Sequence, residues 1–495
     1  MHWQKIESLT IENVTEFQSI EIPISHAASS KNRAIALLPK PSFIHCITRQ
    51  TVLVELKFMR ILIYSYNYHP EPIGIAPLMT ELAEGLVTRG HEVRVITGMP
   101  NYPQRQVYPE YKGKLYCTEE RNGVIIQRSC VWTRPQPGLL SRMLLDGSFV
   151  VSSLIQALRG WRPDAILLTV PPLPVSVPAA LLGWFYSCPI VLNLQDILPD
   201  AAVHVGLLTN KQAIRVFEGL EKFAYHTAHT ISVITDGFTD NLTAKGVPAK
   251  KIRCIPNWVD VKFVRPLPKL DNTFRKTHDL KDKFVVMYSG NIALTQGLKT
   301  VIRAAAHLSH ITEIVFVIVG EPQALAVLEE TCIEHKLENV RLLPFQPRGQ
   351  LPEMLAAADV GLVMQKSNVV SFNMPSKIQV LLASGRPIIA SVPSDGTAAR
   401  AIRQSSGGMV VEPERPDKLA EAILHLQENS AEAEALGLQG RRYAVLNYSF
   451  EQALSRYEEL FYQITAATQR TALPGITTED ILVEALPIEL EKTQV

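Results

Sequence analysis

The sequence predicts an α/β protein of two doubly wound domains that face each other across a cleft. The chain has 495 residues, and a single domain rarely grows beyond about 300 residues. Short apolar runs alternate with helical patterns in two successive series, separated by a polar, proline-bearing stretch at 264–283. Such alternation is typical of parallel sheets with helices on both faces. Because such sheets bind ligands at the carboxyl ends of their strands, we expect the ligand in the cleft.

The first series begins at Met59, where an apolar run has the character of a buried strand. A helix is predicted over 77–89, between the first two strands. The predicted strands of this series are 60–64, 93–97, 165–169, 190–194 and 230–234. Those of the second series are 284–288, 314–319, 340–343, 360–363 and 387–390.

These series divide the chain into domains. We expect one domain over 59–265, a second over 284–446, and a helix at 447–464 that packs back onto the first. Residues 1–58 show neither a clear period nor a signal sequence. They predict a poorly ordered extension, with an accessory segment as the alternative. Residues 465–495 are polar and predict a flexible tail.

The composition argues against several classes of function. A net charge of +1 provides no overall field for nucleic acid. Six scattered cysteines favour reduced thiols in a cytoplasmic protein over a disulfide framework or a zinc site. Prolines interrupt the uncharged run 173–192, so we expect a buried helix there and no membrane span. The apolar, arginine-bearing stretch 138–162 predicts either a helix packed in the first domain or an interfacial membrane helix.

The stretch 373–390 contains the most informative candidate residue. It predicts a loop, a helix capped by Asn373 or Ser376 and ended by Gly385, and then a buried strand. Lys377 lies in the first turn of this helix, where a cation opposes the helix dipole. An anion bound between the lysine and the free N–H groups would explain it. The alternative is a tolerated surface lysine.

Three further loops follow predicted strands. Gly74 precedes the first helix and allows a ligand to approach the backbone closely, although a structural glycine is the alternative. Asp196 directly follows a strand and can position a sugar hydroxyl or act on an acceptor. Gly290 and Asn291 lie in a glycine-bearing turn that suits a diphosphate approaching backbone N–H groups.

Two other residues are candidates for contact with a nucleotide. Glu321 follows a predicted strand, and Phe345 can place a ring beside a base or belong to the core. No Asp-x-Asp pair, HExxH motif or histidine spacing typical of a metal site is present. We therefore predict no metal and no other cofactor.

Taken together, the loops resemble those of glycosyltransferase family 4, the retaining GT-B enzymes with two Rossmann-like domains. The resemblance runs from Met59 to about residue 461 and is closest to the branch of colanic-acid, O-antigen and capsule glycosyltransferases. It is carried by Tyr68-His-Pro-Glu-Pro-Ile-Gly74, Gly90-His-Glu-Val-Arg-Val-Ile-Thr97, Gln195-Asp-Ile-Leu-Pro-Asp200, Tyr288-Ser-Gly-Asn291, Gln296-Gly-Leu298 and Asn373-Met-Pro-Ser-Lys377.

The resemblance implies a UDP- or GDP-linked sugar donor held mainly by the second domain. The first domain would hold a saccharide or lipid-linked saccharide acceptor. By position, Gly74, Gly290, Asn291 and Lys377 would meet the diphosphate of the donor, and Lys377 would be catalytic. From their places in the loops we add Asp196 as a catalytic residue, and Glu321, Phe345, Asn373 and Ser376 as donor-binding residues. A cytoplasmic enzyme of surface polysaccharide biosynthesis, in contact with the inner face of the plasma membrane, is the corresponding expectation.

The sequence departs from the family at two pairs of positions. Many members have two glutamates eight positions apart, and here Phe372 and Val380 stand in those places. The usual basic pair near the diphosphate appears here as Asn291 and Gln296. Two alternatives to a transferase remain. One is a nucleotide-sugar 2-epimerase of GT-B fold, and the other, motivated by the missing glutamates, is a non-catalytic member that binds nucleotide sugars.

Overall fold

The structure is a computed structural model of the 495-residue chain. It describes residues 58–72, 74–134, 138–158, 161–200, 203, 209–369, 371–372 and 374–471. Asn373, the tail beyond residue 471, and the predicted N-terminal extension except its last residue lie outside this part of the chain.

An eight-stranded sheet forms the first half of the fold. Its strands are β1 (Arg60–Tyr64), β2 (Glu92–Gly98), β3 (Tyr116–Arg121), β4 (Val124–Ser129), β5 (Ala165–Val170), β6 (Ile190–Leu194), β7 (Thr230–Val233) and β8 (Ile252–Cys254). The spatial order is β3-β4-β2-β1-β5-β6-β7-β8, and β3 alone among these strands pairs antiparallel. The five predicted strands are confirmed. Three strands were not predicted: the half-exposed β3, the mostly buried β4 with which it forms a hairpin, and β8, which has only three residues.

Helices cover both faces of this sheet. They include α1 (Ala76–Thr88), α2 (Leu139–Ala157), α3 (Ser176–Tyr186), α4 (Lys211–Thr227) and α5 (Asp236–Ala244). Alternate residues of β1 point to opposite faces, as the period of a strand requires. Leu62 and Tyr64 pack in the core formed with α2 to α5, whereas Ile61 and Ile63 pack in the core formed with α1.

A second, six-stranded sheet follows along the chain. Its strands are β9 (Phe284–Ser289), β10 (Ile314–Gly320), β11 (Val340–Pro344), β12 (Val360–Met364), β13 (Ile388–Ser391) and β14 (Gly408–Val411). All neighbours are parallel in the order β11-β10-β9-β12-β13-β14. The five predicted strands are again confirmed, and β14 was not predicted. The helices of this part are α6 (Thr273–Thr277), α7 (Lys299–His307), α8 (Pro322–Glu334), α9 (Leu351–Ala357), α10 (Lys377–Ser384), α11 (Thr397–Ser405), α12 (Pro416–Glu428) and α13 (Ser430–Asn447).

The last helix, α14 (Phe450–Thr471), returns to the first sheet. Its Leu454 and Phe461 are buried in the core that contains α1. The Glu458 carboxylate lies 3.0 Å from the ring of His91 and also accepts a hydrogen bond from Arg89. The helix continues to Thr471, beyond its predicted end at residue 464.

The uncharged run 173–192 forms α3 and β6, as predicted, but the prediction that its helix is buried is wrong. Trp184 is 81% exposed and Phe185 is 61% exposed. Apolar composition indicates a hydrophobic helix, but it does not indicate what covers each face. Among the described helices, none combines the length and the apolar character needed to cross a bilayer.

Candidate active site

Lys377 is the first residue of α10, and its side chain reaches the carboxyl end of β9. The Nζ atom lies 3.5 Å from the centroid of the Tyr288 ring. A Cβ atom placed on Gly290 would be 3.2 Å from the same nitrogen. This nitrogen is shielded from solvent and has no hydrogen-bond partner among the described residues. The alternative of an ordinary surface lysine is therefore wrong.

Burial lowers the pKa of Lys377 to about 7 from its usual 10.5. The cause is desolvation, which disfavours the charged amine. Tyr288 offers the electron-rich face of its ring, which attracts a cation but accepts no strong hydrogen bond. The ammonium has three donors. These donors make the site suitable for an anion, whose charge would restore the protonated form.

The turn after β9 brings backbone close to this amine. Gly290 has φ of +136°, a conformation that side chains rarely adopt. Its N–H donates to the Val319 carbonyl oxygen at 3.1 Å, and the Tyr288 hydroxyl donates to the Asn291 carbonyl oxygen at 2.7 Å. The turn is thus held from both sides, while the Asn291 side chain remains exposed. The structure brings Lys377, Gly290 and Asn291 together as the sequence predicted.

The start of α10 differs from the expected capped helix. Ser376 occupies the N-cap position with helical backbone angles, and its side chain makes no capping hydrogen bond. The prediction that Ser376 caps the helix is therefore wrong, while Asn373 lies outside the described residues. The Ile378 N–H donates to the Pro375 carbonyl oxygen at 3.1 Å, and Ser376 gives the other N–H groups of the first turn no side-chain cap, which suits an anion there. Gly385 ends the helix in the left-handed conformation, as predicted.

Gly74 lies in the turn that precedes α1. Its φ is +76°, and no heavy atom would lie within 4 Å of an added Cβ. Space for a ligand is therefore present, and the positive φ accounts for a glycine on structural grounds as well. The preceding loop is fixed by Glu71, which is buried. Its carboxylate accepts hydrogen bonds from the backbone N–H groups of Asn101 at 2.8 Å and Tyr102 at 2.9 Å.

Asp196 follows β6 at the carboxyl edge of the first sheet. Its Oδ1 atom accepts a hydrogen bond from the Ile197 N–H at 2.9 Å. Burial raises the pKa of this carboxyl group, and the hydrogen bond partly opposes the increase. A carboxylate with a raised pKa is a better proton acceptor than an exposed one. Asp196 therefore has the character required of a residue that acts on an acceptor hydroxyl.

A network of amide side chains connects the neighbourhood of Asp196 with α10. Gln195 and Asn257 exchange two hydrogen bonds of 3.2 and 2.7 Å. The Gln379 side chain, two residues beyond Lys377, donates to the Asn257 carbonyl oxygen at 3.0 Å. This network thus connects the chain segments that contain the two candidate catalytic residues, Asp196 and Lys377. Sequence reasoning missed Asn257, Gln379 and the packing role of Tyr288, because separation along the chain does not show which side chains meet.

Glu321 and Phe345 follow β10 and β11, at the edge of the sheet that carries Gly290. Glu321 occupies the N-cap position of α8 without a side-chain capping bond and is exposed. Phe345 is 49% exposed, so the alternative that it belongs to the core is wrong. Both side chains are accessible to a ligand, and their predicted contacts with a nucleotide remain predictions.

The two positions where many relatives have glutamates contain packed apolar residues. Phe372 is only 7% exposed, and its ring meets that of Phe238 edge to face, with centroids 5.8 Å apart. Val380 packs against the core of the second sheet. Phe372 therefore connects the two halves of the fold. Its side chain cannot supply the carboxylate that many relatives have at this position.

This fold and site define a class of protein: a two-domain α/β protein with a shielded lysine amine at the facing strand ends. Two family models match the chain. The Glycosyl transferase 4-like domain matches residues 74–258, and Glycosyl transferases group 1 matches residues 271–443. WcaI of Escherichia coli (strain K12), named as a colanic acid biosynthesis glycosyl transferase, is 34% identical over 74% of this chain and 91% of its own length. The chain therefore belongs to glycosyltransferase family 4, with the GT-B fold.

More distant similarities agree with this assignment. WbjE of Pseudomonas aeruginosa, named as a glycosyltransferase, is 25% identical over 60% of this chain and 71% of its own length. Sucrose-phosphate synthase of Thermosynechococcus elongatus superposes with a TM-score of 0.63 at 18% identity, covering 83% of this chain and all of its own. The Anabaena protein HepE, in complex with UDP and glucose, has a TM-score of 0.60 at 17% identity, with 82% and 100% coverage. These structures support the fold alone.

Proposed function

We propose that this enzyme transfers a sugar, with retention of configuration, from a UDP- or GDP-linked donor to a saccharide or lipid-linked saccharide acceptor. The pathway would be surface polysaccharide biosynthesis, on the cytoplasmic side of the plasma membrane and in contact with it. The observation that carries the proposal is the shielded Lys377 amine, which has no hydrogen-bond partner among the described residues and lies against Gly290.

The site suits the chemistry of a departing diphosphate. In the transfer, the bond between the sugar C1 atom and the phosphate oxygen breaks, and its electron pair goes to the diphosphate. Lys377 would donate hydrogen bonds to that diphosphate and stabilise the charge that develops. Such stabilisation is strongest where water is excluded and the cation is already in position. The backbone turn at Gly290 and the uncapped start of α10 would supply further N–H donors.

Asp196 would act from the opposite sheet. The acceptor hydroxyl forms the new bond to C1 and loses its proton, and Asp196 would position this hydroxyl and accept the proton. The raised pKa of Asp196 supports this assignment. The similarity to WcaI supports polysaccharide biosynthesis as the pathway, and HepE, which shares the fold, is in complex with UDP and glucose.

A ligand screen tests the donor site. We expect nucleotide sugars linked to UDP or GDP to raise the melting temperature of the full chain, since a ligand that binds only the folded state stabilises it. Lys377→Ala should abolish most of this shift. Lys418→Ala is the matched control, because Lys418 lies in the first turn of α12 and is exposed. An unchanged shift in Lys377→Ala would show that the lysine does not bind the donor.

A turnover assay tests the reaction. We expect release of nucleoside diphosphate to depend on a saccharide acceptor, and both Lys377→Ala and Asp196→Ala should slow it by at least about a hundredfold. Conversion of UDP-GlcNAc to its 2-epimer without an acceptor would instead identify the epimerase.

A further inference from the structure

The outward faces of α2 and α3 are unusually apolar. On α2, the exposed large side chains are Met143, Val151, Ile155 and Leu158. Their spacing of three, four or eight residues places them on one stripe of the helix. The buried residues of the helix, such as Phe149, face the sheet. The stripe is therefore separate from the face that α2 needs for packing.

The outward face of α3 has the same character. Val177, Leu181, Trp184 and Phe185 recur at helical spacing and are all exposed. Trp184 is 81% exposed, more than any other aromatic side chain among the described residues. No charged residue occurs between positions 173 and 192. We call the exposed stripes of α2 and α3 the α2–α3 surface.

The outer helix α12 is not built in this way. Its exposed positions are Lys418, Glu421, His425 and Glu428, all of which are polar or charged. The two helices, α2 and α3, pack against each other in the layer over the first sheet. Exposed apolar side chains gathered in one region of a surface indicate an interaction site.

Basic side chains border the α2–α3 surface. The Arg162 Nε atom donates to the Tyr186 carbonyl oxygen at 3.0 Å, at the end of α3 beside Phe185. The next helix, α4, contacts α3 and exposes Lys211, Arg215 and Lys222 against a single exposed acid, Glu218.

The acids that belong to these helices do not offset this charge. Asp146 of α2 is buried and pairs with Arg142 at 3.1 Å. Glu221 of α4 is buried and pairs with Lys245 at 2.7 Å. The exposed face of α4, the helix next to this surface, therefore carries an excess of positive charge.

We propose that the α2–α3 surface binds an anionic lipid bilayer. Trp184 and Phe185 enter the boundary between headgroups and acyl chains, where aromatic side chains are enriched. The basic side chains at the margin contact lipid phosphates. An apolar face with a basic border is the arrangement found in interfacial helices. A second copy of the chain is disfavoured as the occupant, because two such borders would repel each other.

This inference assigns the membrane contact in the proposed function to the α2–α3 surface and to anionic lipids. It rests on that part of the proposed function alone. A lipid-binding measurement is independent of the donor site, so failure of one proposal is distinguishable from failure of the other.

Vesicle flotation with the full chain tests the proposal. The vesicles are made of phosphatidylcholine alone or of phosphatidylcholine with about 30 mol% phosphatidylglycerol. We expect the protein to float with the anionic vesicles and to float much less with the zwitterionic ones. Raising the salt concentration should weaken binding, since it screens the phosphate contacts. A protein that stays at the bottom of the gradient with both vesicles would overturn the proposal.

Two sets of variants locate the contact. Trp184→Ser with Phe185→Ser should lower the vesicle partition coefficient by about tenfold or more, because it removes the buried apolar area. Lys211→Gln, Arg215→Gln and Lys222→Gln together should weaken binding to the anionic vesicles only. The matched control is Val327→Ser with Ile333→Ser, which changes exposed apolar residues of α8. It should bind like the unchanged protein.

Four measurements complete the test. Circular dichroism and melting temperature verify that each variant is folded, and light scattering without lipid gives the oligomeric state. Acceptor-dependent sugar transfer with a water-soluble acceptor should be the same in all variants. If the aromatic double variant floats normally, the surface is not the lipid contact. A lipid-independent dimer that this variant dissociates would assign the surface to a second copy instead.

Discussion

At the scale of single residues, burial and ligand binding have opposite effects on the pKa of Lys377. Burial lowers its pKa to about 7, so that near neutral pH the free enzyme contains a mixture of amine and ammonium forms. A bound diphosphate favours the ammonium form and raises the pKa again. Because the unfolded chain holds a proton on this lysine up to pH 10.5, the folded state becomes more stable as the pH rises from about 7 toward 10.5.

Proton uptake on binding tests this view of Lys377. At pH 8 the free lysine is mostly neutral, so we expect binding of UDP or GDP to take up about one proton. The affinity should fall as the pH rises above 7, by up to about tenfold per pH unit. Calorimetry in buffers of different ionisation enthalpy measures the uptake. Lys377→Met should show none, and equal uptake by both proteins would assign the proton to another group.

At the scale of elements, the turns at the strand ends determine how closely a ligand can approach. Most of the chain around β9 and β10 is apolar core, and the chemistry is confined to the residues that follow each strand. Gly290 is an example, because its positive φ and its closeness to Lys377 both require a residue without a side chain. A substitution there combines backbone strain with the loss of space for the donor.

A pair of glycine variants separates these two effects. Gly290→Ala introduces strain and places a methyl group 3.2 Å from the lysine Nζ atom. Gly246→Ala introduces comparable strain at φ +86°, where no heavy atom would lie within 4 Å of the methyl group. We expect both to lower the free energy of unfolding by about 1 kcal/mol. Only Gly290→Ala should weaken donor binding, by about tenfold or more, as measured by titration calorimetry. Equal donor affinity in both variants would remove Gly290 from the site.

At the scale of the whole molecule, the two sheets are connected by side chains as well as by the chain. Phe372 packs against Phe238 and joins the core cluster of the first sheet. Nearby, Arg400 pairs with Asp240 at 2.7 Å. Together with the contact between Gln379 and Asn257, these interactions hold the facing strand ends in a fixed relation. The residue that replaces a family glutamate thus contributes to the connection between the domains.

Removing the Phe372 ring tests this structural role. Phe372→Ala should lower the free energy of unfolding by about 3 kcal/mol, because a buried aromatic side chain is lost and a cavity remains. Leu270→Ala is the control, since Leu270 is 84% exposed, and it should change stability by less than about 0.5 kcal/mol. Chemical denaturation followed by circular dichroism measures both. A small effect of Phe372→Ala would mean that the contact between the domains does not depend on this ring.

The sequence by itself determined the architecture and the principal candidate. Alternation of apolar runs and helical patterns identified ten of the strands, because buried parallel strands have a composition and length that are local properties. The unfavourable position of the Lys377 charge could be predicted for the same reason, because the start of a helix and the direction of its dipole follow from the local sequence. The local pattern of the missed strands is weak, because β3 is half-exposed, three of the six residues of β4 are polar, and β8 has only three residues.

Only the tertiary structure decided what each side chain faces. Gln379 and Asn257 are 122 positions apart, and no periodicity shows that they meet. Phe372, Leu182 and Trp184 are all apolar, yet the first joins two domains, the second lies in a core and the third faces outward. The physical reason is that hydrophobicity is a property of the residue, whereas burial depends on which other elements pack against it. The sequence indicated an interfacial helix only as an alternative for 138–162, whereas the exposed side chains of α2 and α3 locate the proposed lipid contact.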